Sequence, residues 1–119
     1  MVTIIKVILE RDAVRCIQEK FLPYMGMLCE QEIKEARDVG DIDVMINWKA
    51  VRALFQECKA QINEKLLTKV NSLKLHFTIP QSCSMHYLLA QLPIDAKDVY
   101  MMNLRNHVKD HLFNQLFEI

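Results

Sequence analysis

Residues 44–79, VMINWKAVRALFQECKAQINEKLLTKVNSLKLHFTI, carry the pattern on which the fold turns. Val44, Trp48, Val51, Phe55, Cys58, Ile62, Leu66, Val70 and Leu73 recur at steps of three or four, the spacing that aligns side chains on one helical face. The period then shortens. Leu73, Leu75, Phe77 and Ile79 alternate with Lys74, His76 and Thr78, as in a strand with one face buried. Two readings of this second part stand, a strand or a continuation of the helix to Phe77, and the alternation favours the strand. Pro80 stops either one.

The opening stretch, VTIIKVILE, is dense in β-branched residues and reads by periodicity as either a buried strand or an apolar helix. As a strand, residues 2–9 would pair with residues 73–79. After Arg11, Asp12 can cap a helix that turns Val14, Ile17 and Phe21 inward and ends near Pro23. Residues 27–38 form a short acidic helix, Gly40 ends it, and Asp41 or Asp43 caps the long helix, which reaches to about residue 70. A short helix follows around Ser84–Gln91, capped by Ser82 or Ser84. The last begins at Pro93-Ile94-Asp95 with Asp95 as its cap. Its apolar face is Met101, Leu104, Val108, Leu112, Leu116 and Ile119, widened by Phe113 and Phe117. The fold expected is a mainly α, compact helical domain of four to five helices with a small two-stranded sheet, a single domain over residues 1–119.

Composition narrows the function classes. Fifteen basic and fifteen acidic side chains cancel, so net charge gives no argument for a polyanionic partner. No apolar run approaches the roughly 18 residues that span a bilayer, and the opening stretch lacks a basic leader and a cleavage site. Cys16, Cys29, Cys58 and Cys83 are irregularly spaced with no CxxC pair, which reads as free thiols in an intracellular protein, cytoplasmic or nuclear. Charge is nevertheless zoned. Residues 27–46 are rich in acids, residues 47–79 in bases, and two helices of opposite sign packed together account for that most simply.

Motifs for chemistry are sparse. His107 and His111 stand one helical turn apart and could grip a metal, but a third ligand would have to come from Cys83, His76 or His86, and no HExxH glutamate is present. Cys83 and His86 lack a glycine-rich oxyanion site and an orienting acid. Neither glycine lies in a phosphate-cradling loop, and the acids of residues 38–43 lack calcium-loop spacing. The expectation is a protein without catalysis, metal or cofactor.

Two binding readings remain. The first is a protein-interaction or regulatory module, self-associating as a homodimer or holding a protein partner through Leu112, Phe113, Leu116, Phe117 and Ile119, with Tyr100, Met101 and Met102 in support. That stripe stays apolar to the last residue, where chain ends are usually polar unless tied down. The alternative is a helical protein that binds duplex RNA or DNA backbone through Lys49, Arg52 and Lys59, on the side opposite Trp48, Val51 and Phe55.

Overall fold

A computed structural model describes residues 3–119. The two stretches of alternating hydrophobicity are both strands. β1 (Ile4–Glu10) and β2 (Ser72–Thr78) form a two-stranded antiparallel sheet, so the helical alternative for residues 73–77 is excluded. Val2 of the expected first strand lies outside the described residues. Ile5, Val7 and Leu9 stand opposite Phe77, Leu75 and Leu73, and all six are buried. The even-numbered residues of both strands point away from the core, as the two-residue period requires.

Helix follows β1 without a loop. α1 (Arg11–Cys16) and α2 (Leu22–Val39) are joined through a π-helical segment, Ile17–Phe21, into one rod. The expected end near Pro23 is therefore corrected, and the reason is local. In a regular helix, Pro23 would lose a hydrogen bond and crowd the carbonyl one turn back. Here the Leu22 N–H donates five residues back to Ile17 O, and the widened turn lets proline enter at the start of α2. The acidic helix expected over 27–38 is the second half of this rod. Gly40 ends it in the left-handed conformation (φ 75°).

Asp41 then caps α3 (Ile42–Leu66) by accepting from the Val44 N–H, as one of the two candidates. The helix stops short of the expected residue 70. Of its long stripe only Phe55, Cys58 and Ile62 are fully buried, while Val44 and Val70 are exposed and Leu73 belongs to β2. Arg11 explains the stop. Its guanidinium donates to the carbonyls of Leu66 (3.0 Å), Thr68 and Val70 (2.8 Å), closing the end of α3 with a cation from the first turn of α1.

α4 (Ile79–Ala90) begins on the last strand residue. Thr78 accepts from the Gln81 N–H, and the Gln81 side chain accepts from the Thr78 N–H, a reciprocal cap with Pro80 in the first turn. Neither Ser82 nor Ser84 is the cap. Both are buried within α4, and the Ser82 hydroxyl finds no partner among the described residues. α5 (Val99–Phe117) starts later than expected, with Asp98 rather than Asp95 accepting from the Met101 N–H. Asp95 instead accepts from the Lys97 N–H in the preceding turn. The result is a mainly α fold of four helical rods and a small sheet, with one core to which every element contributes.

Candidate functional site

α4 lies between α3 and α5, and its exposed side joins them through aromatic rings. Ser84, Met85, Leu88 and Leu89 face the core, which leaves Cys83, His86, Tyr87 and Ala90 on or near the outside. On one flank Tyr87 meets Trp48 of α3 edge to face, with centroids 5.6 Å apart. A shallow apolar hollow of about 220 Å³ opens there, lined by Asn47, Trp48, Val51 and Tyr87. On the other flank His86 lies 5.8 Å from Phe113 of α5, and Phe113 stacks on Phe117 at 6.0 Å. Burial lowers the His86 imidazole below its ordinary value, Lys109 pushes the same way, and Asp110 opposes. That shift favours the uncharged ring, which lies against Phe113 as one more flat ring in the group.

The C-terminal residues singled out from sequence are divided by this arrangement. Leu112 is fully buried in the core and Leu116 packs partly against it. Phe113, Phe117 and Ile119 remain in water, at 50, 80 and 64% of their full exposure. Met101 is half-buried, and Tyr100 is exposed on a different flank of α5, towards β1. Trp48, His86 and Tyr87 were not singled out as surface. The signal was present in α4, where burial at 84, 85, 88 and 89 obliges 83, 86, 87 and 90 to face outward. A second apolar patch crowns the α2–α3 turn, where Val39, Ile42 and Ile46 are exposed.

The basic row is also divided. Arg52 pairs with Glu30 of α2 at 2.9 Å, so one charge of the row holds the acidic and basic helices together. Lys49 and Lys59 are exposed. His111 Nε2 donates to the Lys6 carbonyl oxygen at 2.8 Å, and His76, His86 and Cys83 lie on other elements. No three His, Cys, Asp or Glu side chains converge among the described residues. All four cysteines are free thiols, with Cys29 and Cys58 buried and Cys83 exposed. No described helix is long and apolar enough to cross a membrane. No protein-family model matches the chain, nor does any curated protein or solved structure.

Proposed function

We propose that the chain is a non-enzymatic protein-interaction module whose α3–α4–α5 face receives an apolar helix from a protein partner. The observation that carries this reading is a pair of aromatic groups flanking α4, His86, Phe113 and Phe117 on one side and Trp48 and Tyr87 on the other, in which Tyr87, Phe113 and Phe117 are exposed. Each large apolar side chain left in water forgoes roughly 1.5–3 kcal/mol of burial. Aromatics grouped on both flanks of one helix are the composition of an interface centre, whereas scattered exposed apolar residues are ordinary surface. What tells against the duplex-backbone alternative is Arg52, whose charge is already engaged by Glu30.

Trp48 is the sole tryptophan and borders the band, so its emission reports whether the face is covered. Titration with a designed amphipathic helical peptide should shift that emission to the blue and saturate. Phe113→Asp with Phe117→Asp should stay folded, because both side chains are already half exposed or more, and should abolish the shift. An emission indifferent to the peptide, or a shift the double variant leaves unchanged, would remove the reading.

A further inference from the structure

The free edge of the sheet supports a second, separate association. Arg11 N–H donates to Asn71 O at 2.8 Å, which places the odd-numbered residues of β1 in the hydrogen-bonded pairs with β2. The backbone groups of Ile4, Lys6, Ile8 and Glu10 therefore point away from β2. The opposite edge is obstructed at its centre. Gln61 of α3 accepts from the His76 N–H at 2.6 Å and donates to His76 O at 2.7 Å, standing where a third strand would. Gln61 thus obstructs the β2 edge at His76. The β1 edge has one outward group engaged, Lys6 O by His111, and a two-stranded sheet is the smallest and weakest of its kind.

Along that edge runs a trough walled by α5. Two hollows, about 390 and about 250 Å³, meet at Ile8 and His107. The trough has a charge polarity: Lys6 lines one end, Glu10 and Asp12 the other. A two-fold axis through Ile8 brings opposite ends together. We propose that β1 pairs antiparallel with β1 of a second copy about this axis, making a four-stranded sheet.

The register follows from the strand itself. Ile8 faces Ile8 of the second copy, and Lys6 faces Glu10 of the second copy, twice by symmetry. All three side chains lie on the outer face of the sheet, where Ile8 is now 53% exposed. The Lys6 carbonyl exchanges its bond from His111 for one from the Glu10 N–H of the second copy. The contact lies on the flank of α5 that carries Tyr100 and His107, so it leaves the Phe113–Phe117 band free and is independent of that band's role.

Sedimentation equilibrium of the purified chain should show a dimer in the micromolar range. Ile8→Pro deletes an outward N–H that β2 does not use, and should give a folded monomer. Lys6→Glu and Glu10→Lys should each weaken the dimer by roughly tenfold, and the double variant should restore it. This swap keeps the test intact even if the proline variant misfolds. A wild-type chain that stays monomeric, a dimer that survives in folded Ile8→Pro, or a double variant without recovery would each overturn the proposal. So would a dimer that Phe117→Asp abolishes and Ile8→Pro does not, since that result moves the contact to the aromatic band.

Discussion

Gly26 lies where α2 crosses α3, and a Cβ built there would come 3.4 Å from the Phe55 ring, an ordinary van der Waals contact. An alanine fits, and helix interiors favour alanine over glycine by about 1 kcal/mol. Gly26→Ala should therefore raise the urea midpoint, by the equivalent of roughly 0.5–1 kcal/mol. Gly40→Ala should do the opposite, because φ of 75° costs an L side chain about 1 kcal/mol or more, although open space surrounds it. The two glycines also differ in how far sequence reveals them. Gly40 follows an acidic helical stretch and precedes a capping aspartate, so neighbours in sequence give its role. Gly26 is defined by Phe55, twenty-nine residues away, and nothing adjacent to it signals the crossing. The aromatic band has the same character: Phe113 and Phe117 stand out on one helix, while Trp48 and Tyr87 become a surface only when α3 and α4 are placed side by side.

Two helices end on an arginine borrowed from elsewhere: Arg11 serves α3, and Arg105 of α5 donates to Leu92 O at 3.2 Å just beyond α4. The Arg11 contacts bridge fifty-five to fifty-nine positions, so they join the sheet to the end of α3 as well as capping it. Arg11→Ala should cost about 1–2 kcal/mol, the range for partly exposed charged hydrogen bonds. Amide exchange should accelerate first between residues 67 and 71. Arg11→Lys should recover only part of the loss, since one ammonium cannot reach three carbonyls as a planar fork does. At this scale the element types were legible and several boundaries were not. The shift from a period of 3.6 to 2 identified α3 and β2, and the β-branched opening matched β1. Thr78 was missed as a cap because it also completes the strand alternation. Asp95 and Asp98 each suit a helix start, and only tertiary placement chooses between them. Pro23 misled for a physical reason, since a π turn removes the clash that makes proline a helix breaker.

The core as a whole can be followed through its thiols. Cys83 is exposed and should react with a thiol reagent at once. Cys29 and Cys58 are fully enclosed, and burial pushes their thiols up to about 11 and about 12, beside Glu30 and Glu57 respectively. They should label only as fast as the molecule opens, so their rate in native buffer should match the global unfolding rate. The pH sign follows from the same burial. The folded chain keeps protons that the unfolded chain releases above about 8.5, so these thiols favour the folded state below that pH. Their contribution is lost as pH rises from there through about 12. Urea midpoints measured from pH 8 upward should fall, and less steeply in Cys29→Ala with Cys58→Ala.

Arg11 and β1 precede by far the strand and the carbonyls they pair with, β2 and the segment that ends α3. β1 and β2 pair across more than sixty residues. At about 5–20 residues per second, the ribosome takes on the order of several seconds to deliver the second strand after the first. Through that interval Ile5, Val7 and Leu9 have no sheet to join, while the α1–α2 rod and α3 can form from local contacts. The sheet and the α4 and α5 helices that pack on it therefore come together late, and a nascent chain halted before residue 72 would display an apolar strand to any holdase nearby.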